Sequence, residues 1–442
     1  MTAGLSRSDQ PHVVIVGAGF GGLACAKALG GKPVKVTIVD RRNYHLFVPL
    51  LYQVATAALS PADIARPIRR ILSRTPNIDI LMDSVLGADP ASRLLRLGGG
   101  AELSYDHLVI ATGSQYSYFG HPEWAVHAPG VLTLEDARRV RARLLLSFER
   151  AEASRDPAVQ EALMTTVIIG GGPTGVEMAG AVGELTRHAL ARDFRHVDPR
   201  LARTLLIEAG PRILPSFPES LADYASSALE RLGVRVITGQ AVEAIDARGV
   251  TVAGRRIDAG TMVWGAGIKA SPAGHWLGIE LDRAGRIPVN QDLSVKGLAG
   301  VYAIGDTVVA DGEDGKPLPA LAQVAAQQGK HLGRALADLL SNGTALPAFR
   351  FHNRGNTAII GRHAAVFDFG WLQLKGRLAW LLWAIVHVYL LVGFENRVRV
   401  TLQWTWLYLT YERGARLIMT EAGPDTEPQP VIPGRTEGAN PE

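Results

Sequence analysis

The chain has 442 residues, long enough for two or three domains with real cores. Its composition, 47% apolar and 20% charged, excludes wholesale disorder. A net charge of +4 with no basic run of five or more gives no sign of a nucleic-acid partner, and the single cysteine, Cys25, excludes an internal disulfide, a CxxC redox pair, a cysteine zinc site and an iron–sulfur cluster.

Residues 1–12 are polar and mixed. They lack the apolar core of a secretory signal and the Arg-rich pattern of a transit peptide, so a bacterial cytoplasm is the simplest expectation. Apolar runs at 12–16, 34–39, 107–111, 166–169, 204–207, 262–264 and 301–304 predict buried strands, and 134–153, 176–192, 219–232 and 323–340 predict helices. That alternation predicts parallel α/β sheets. Residues 98–100 and 311–319 are turn-rich breaks, and the Gly, Pro and Glu content from 419 to 442 predicts a disordered tail.

The first strand runs into Gly17-Ala18-Gly19-Phe20-Gly21-Gly22, and a small-residue helix follows. Gly17 permits the tight turn, Gly19 lets the backbone approach a pyrophosphate, and Gly22 lets the helix pack on the strand. The next strand ends in Asp40, 23 residues after Gly17, placed to accept from a ribose hydroxyl. The same grammar returns in Gly170-Gly171-Gly172-Pro173-Thr174-Gly175, with Glu208 as its acid 38 residues on. A helix through about Arg192 and a loop over 193–203 account for that spacing. Glu208 would repel a 2′-phosphate and favour NADH over NADPH, with Arg212 nearby as the counter-indication. Two such turns imply two dinucleotides, and FAD with NADH is one pair that fits. Cys25, on the helix after the first turn, reads as packing.

Between Trp371 and Ile418 fall six basic and two acidic residues and five of the eight tryptophans. Residues 378–394 carry no formal charge, and as one helix would be roughly 26 Å long, at the lower limit for a span. Trp380, Trp383 and Phe394 with basic flanks favour a segment lying in the head-group region. A core helix or dimer interface, or a true span, are the competing readings. Residues 397–406 alternate like a strand, but 407–411 break the alternation, and a helix is the expectation.

Four segments carry a family resemblance. Tyr105-Asp106-His107-Leu108-Val109-Ile110-Ala111-Thr112-Gly113 resembles the strand and turn that return to FAD in two-dinucleotide flavoproteins, and Val301-Tyr302-Ala303-Ile304-Gly305-Asp306 resembles their second FAD motif. Ala322-Gln323-Val324-Ala325-Ala326-Gln327-Gln328-Gly329 resembles the AQxAxQ motif of type II NADH:quinone oxidoreductases, and the run 43–55, with Pro49, is similar to that family too. The likeness extends from about 11 to about 418.

The resemblance implies two Rossmann-like domains: an FAD domain over 11–125 and 283–340, an NADH domain inserted over 126–282, and a membrane-association region over 341–418 whose stretch from about 371 to 418 meets the bilayer surface. It implies non-covalent FAD held by Gly17, Gly19, Phe20, Gly22, Asp40, Arg41, Pro49, Ala111, Thr112, Gly113, Asp306, Ala322 and Gln323. It implies NADH at Gly170, Gly172, Thr174, Gly175, Glu177, Glu208 and Gly267. Glu177 is expected between the substrates as a proton relay, or merely complements the helix dipole. Gln323 and Gln327 share a helix face expected to border a membrane quinone, with Lys375 at its entrance; from spacing alone they are surface glutamines. The implied activity moves electrons from NADH through FAD to quinone without proton pumping, at the cytoplasmic face of a bacterial plasma membrane, and admits a homodimer.

Sulfide:quinone oxidoreductases and disulfide reductases of related fold need paired cysteines, which Cys25 alone does not supply. A reductase of a soluble acceptor, and a flavoprotein whose redox state controls partner binding, remain as alternatives. No His or acidic cluster has metal-ligand spacing; 311–315 lacks the calcium-loop pattern.

Overall fold

The structure, a computed structural model, describes residues 10–313, 315–410 and 413–418. The tail expected over 419–442 lies outside the described residues. The chain forms two compact units. Of the described residues, one takes those up to Leu46, then Ala65–Tyr116 and Ile268–Arg354; the other takes Phe47–Ile64, Ser117–Gly267 and those from Gly355 on. The breaks at 116 and 268 fall where Ser114–Tyr116 pairs antiparallel with Ile268–Ala270, against breaks at 125 and 283 expected from sequence.

The first unit is centred on a five-stranded parallel sheet in the order Val301–Ala303, His107–Ile110, His12–Val16, Lys35–Asp40, Ile78–Met82. Val13, Val14 and Ile15 are fully buried, as a parallel strand covered on both faces must be. Helices Phe20–Leu29 and Ala322–Asn342 cross at backbone contact. A Cβ on Gly329 would stand 2.0 Å from the Gly21 carbonyl oxygen, and one on Gly333 2.5 Å from that of Cys25. Cys25 is wholly buried in this core, and burial pushes its thiol up to about 12, so packing is its role.

The second unit repeats the plan with a four-stranded parallel sheet, ordered Val234–Ile237, Arg203–Ile207, Thr165–Ile169, Thr261–Trp264. Helix Leu134–Ala153 starts where expected, capped by Thr133, whose hydroxyl oxygen accepts from Asp136 N at 3.1 Å. The helix expected over 176–192 is interrupted. It is α-helical over Pro173–Glu184, a π-turn over Leu185–Ala189 and a 3₁₀ turn over Leu190–Arg192. The Thr186 hydroxyl back-bonds to the Gly183 carbonyl at 3.2 Å and competes with the regular ladder.

The C-terminal part of this unit is a three-stranded antiparallel meander, Asn356–Gly361, Ala364–Asp368 and Gln373–Lys375, then helices Arg377–Leu390 and Phe394–Thr410. The alternating stretch 397–406 is helical, as expected. The uncharged stretch 378–394 is not one helix, because the first helix stops at Leu390. At 14 residues that helix is roughly 21 Å long, too short for a bilayer core. No helix among the described residues is long and apolar enough to cross a membrane.

Candidate active site

The two glycine turns are built alike. In the first unit Gly17 has φ +102°, and a Cβ there would stand 2.4 Å from the Ala111 carbonyl oxygen. A Cβ on Gly22 would stand 1.9 Å from the Gly17 carbonyl oxygen. Gly19 is the extended N-cap of the helix, open on its Cβ side, and no side chain caps the helix. In the second unit Gly170 has φ +107°, a Cβ on Gly175 would stand 1.8 Å from the Gly170 carbonyl oxygen, and Gly172 is the open, uncapped N-cap. Each turn thus presents unspent backbone N–H groups and a positive dipole end to an open approach, the arrangement a pyrophosphate requires.

A carboxylate clamps each turn in the same way. Asp40 accepts from Ala18 N at 2.7 Å and from Arg42 N at 2.8 Å. Glu208 accepts from Gly171 N at 2.5 Å and from Gly210 N at 2.6 Å. Every one of these oxygens keeps a lone pair for a ribose hydroxyl.

Around the first turn, Ala111 N donates to the Val16 carbonyl at 2.8 Å, the Thr112 hydroxyl lies 2.6 Å from that of Ser271, and Gly113 takes φ +69° beside open space. The Phe20 ring packs edge-on against His45 at 5.3 Å, and Arg41 is exposed. Ser114 Oγ donates to Asp306 Oδ2 at 3.1 Å, and burial raises the Asp306 carboxyl above its ordinary value. Gly305, at φ +79°, donates its N–H to Gln328 Oε1 at 2.7 Å. Gln328 is 1% exposed, so this buried amide fixes the turn that presents Asp306.

Ala322 opens its helix with no side-chain cap, so the helix N–H groups remain available. Gln323 and Gln327 do share a face. Gln323 Oε1 accepts from Arg354 N at 3.1 Å. Gln327 Nε2 donates to the His352 carbonyl at 2.9 Å, and its Oε1 accepts from His352 N at 3.1 Å. The pair therefore holds the 352–354 backbone, and one amide N–H of Gln327 is left to donate.

The second unit contains a cavity of ≈ 710 Å³, apolar over most of its wall. Tyr52, Gln53, Glu177, Glu184, Arg413 and Trp404 supply polar groups to it. Glu177 sits on the first turns of helix Pro173–Glu184, and burial raises its carboxyl to about 8, offset only by a backbone N–H of Ile359. At neutral pH it carries a proton. Glu184 accepts from Arg362 N and pairs with Arg413 Nη2 at 3.5 Å, and Arg413 Nη1 donates to the Thr56 carbonyl at 2.7 Å. Trp383 stacks on His387 at 4.2 Å and on Trp404 at 5.2 Å. His387 donates from Nδ1 to the Trp383 carbonyl at 2.8 Å, and burial pushes it down to about 4, so it is a neutral packing group.

The profile of the pyridine nucleotide-disulphide oxidoreductase family matches residues 11–329, and that of the NDH2 C-terminal domain matches 353–410. A Mycobacterium tuberculosis protein named as a type II NADH:quinone oxidoreductase is 38% identical over 417 residues, covering 91% of this chain and 89% of that one. The chain belongs to the type II NADH:quinone oxidoreductase family. A Staphylococcus haemolyticus protein of the same description is 28% identical over 369 residues, covering 81% of this chain and 89% of that one. The solved structure of NDH2 from Plasmodium falciparum in complex with NADH has the same fold, with a TM-score of 0.84 at 19% identity over 93% of this chain and all of that one. The sulfide:quinone oxidoreductase of Aquifex aeolicus shares the fold at a TM-score of 0.69 and 19% identity, over 88% of this chain and 91% of that one.

Lys375 ends the third strand of the meander with its ammonium 5.8 Å from the Tyr224 ring centroid, and it is not among the residues lining the cavity. The strand's alternation turns it toward Tyr224. Pro49 lies in the turn Val48–Leu50 of the second unit. Thr174 is exposed at the start of its helix, and a Cβ on Gly267 would meet the Phe119 ring at 2.7 Å. Gln328, Tyr52, Gln53, Trp404 and Arg413 were not anticipated. Tyr52 and Gln53 lie inside the run 43–55, but no local signal announces a partner 351 residues away.

Proposed function

We propose that this chain oxidises NADH and reduces a membrane quinone through FAD held by its first unit, taking up one further proton per NADH from solvent. The observation that carries the reading is the pair of identically clamped glycine turns. The first unit's open Gly19, its clamped Asp40 and the turn at Asp306 fit FAD, and Gly17, Gly22, Thr112, Gly113 and Ala322 shape the same rim. Held there, FAD would supply the two-electron redox chemistry that links a hydride donor to a quinone.

The chain's own residues orient the reactants and manage charge. The N–H groups at Gly172 and Thr174 face the NADH pyrophosphate, and Glu208 binds its ribose diol while disfavouring a 2′-phosphate. Protonated Glu177 holds a proton beside an apolar cavity suited to a quinone ring.

The last two helices support attachment to a lipid surface. Leu378, Leu381, Ile385 and Tyr389 lie on one face of the first, all exposed. Phe394, Val398, Leu402 and Trp406 recur every fourth residue on the second and are exposed too, Phe394 by 80%. Stripes of this kind seat a helix in the head-group region, where the exposed Arg399 meets anionic lipid. We place the chain on the cytoplasmic face of a bacterial plasma membrane.

Air-free steady-state NADH consumption tests the reading. Turnover with a short-chain quinone is expected. Turnover with a soluble electron-carrier protein and none with quinone would favour the soluble-acceptor alternative.

A further inference from the structure

The cavity of the second unit holds a hydrogen-bond chain whose direction is fixed. An indole N–H only donates. Trp404 Nε1 donates to Gln53 Oε1 at 2.8 Å, so the Gln53 amide has one orientation. Its Nε2 then donates to the Tyr52 hydroxyl oxygen at 2.8 Å. The phenol is an acceptor in that bond, and its own hydrogen is left to point elsewhere. Tyr52 and Gln53 are 5% and 7% exposed and both line the cavity. A buried O–H beside an apolar cavity gains most from a ligand oxygen that only accepts.

We propose that Tyr52 donates this hydrogen to a carbonyl oxygen of the quinone, and that Gln53 and Trp404 are positioning residues that aim it. The inference rests on the quinone reading above. A quinone carbonyl is acceptor-only, and its flat ring matches a wall carrying Trp383 and Trp404. Burial, and then Glu177, raise the Tyr52 hydroxyl well above its ordinary value, so it keeps its proton and acts by hydrogen bonding. As the carbonyl oxygen gains charge on reduction, a preset donor strengthens its hold. No proton of Tyr52 is consumed; those of the quinol come from hydride and solvent.

The test compares binding of 1,4-naphthoquinone with 1,4-dimethylnaphthalene, the same ring without carbonyls, by equilibrium dialysis of the full chain without NADH. Tyr52→Phe should weaken naphthoquinone about tenfold and leave the hydrocarbon within about twofold. Gln53→Glu keeps the shape but places an acceptor where Nε2 was. Tyr52 would then donate to that carboxylate, so the loss should match Tyr52→Phe although the phenol remains. Trp404→Phe should cost about threefold and add nothing in the Tyr52→Phe background. Flavin content and melting temperature check folding, and if Tyr52→Phe fails to fold the isosteric Gln53→Glu carries the test. Equal losses for both ligands, or wild-type naphthoquinone binding by Gln53→Glu, overturn the inference. A wild-type enzyme that binds no naphthoquinone and turns over none overturns the quinone reading itself.

Discussion

Glu208 Oε2 accepts the Gly171 backbone N–H at 2.5 Å, so the acid that would read the NADH ribose also closes the turn that would hold its pyrophosphate. Its other oxygen, Oε1, is held by Gly210 N at 2.6 Å. A carboxylate fixed at both oxygens cannot swing away from a 2′-phosphate. NADPH should therefore be used with a kcat/KM about 100-fold below that of NADH, and Glu208→Gln, which removes the charge, should narrow the gap about tenfold. Steady-state kinetics with both nucleotides checks this; equal efficiency of the wild type with NADPH would contradict it.

The two glycines flanking the first helix's N-terminus should fail differently. Gly22→Ala drives a methyl into the Gly17 carbonyl, 1.9 Å away, and should cost more than about 3 kcal/mol of stability. Gly19→Ala points its methyl into open space, so the protein should fold with near-normal stability yet retain little FAD. Melting temperature and flavin absorbance of the purified variants separate the two effects.

Glu177 makes stability depend on pH. Its folded carboxyl titrates near 8, against an ordinary 4.5. Between these values the native state binds the extra proton, so stability falls as pH rises, by up to ~5 kcal/mol across the window and less where cavity water relieves the burial. Below 4.5 both states are protonated and the difference vanishes. Glu184, Arg362, Arg397, Arg413 and Tyr52 share the cavity and remain when Glu177 is replaced. Glu177→Gln should thus gain stability relative to the wild type as pH rises from 4.5 to 8, read by denaturant unfolding. A difference that stays constant with pH would remove Glu177 as the proton-holding group.

Much of this was legible because the signals are local. A turn that must take φ near +100° and press against a carbonyl demands Gly17 and Gly170, and a strand sealed on both faces demands runs such as Val13–Val14–Ile15. The helix over 397–406 was legible only through the five residues after it, since its alternation taken alone reads as a strand. What escaped depends on tertiary partners. Gln328 looks like one more polar residue on its helix until Gly305 is seen to need an acceptor. Trp404 reads as an interfacial aromatic until Gln53 meets its N–H. The Tyr224 ring beside Lys375 was equally invisible, since that partner lies 151 residues earlier on another element. The π-turn after Glu184 likewise leaves no mark in the hydropathy pattern.

The exposed stripes on the final helices predict surface binding without insertion. Leu381→Glu with Leu402→Glu removes two exposed leucines from the proposed lipid contact, each worth about 2 kcal/mol on transfer to lipid, and should weaken co-sedimentation with anionic liposomes at least tenfold. NADH-driven flavin reduction in solution should change little. Undiminished co-sedimentation would show that another surface meets the membrane.

The central claim is that one chain passes electrons from NADH to quinone through bound FAD. Air-free stopped-flow absorbance tests it most directly. NADH is mixed first and the flavin band is followed, then a short-chain quinone is added. The account predicts rapid bleaching followed by complete, quinone-dependent recovery at a rate that rises with quinone concentration. Bleaching that quinone does not reverse would contradict it.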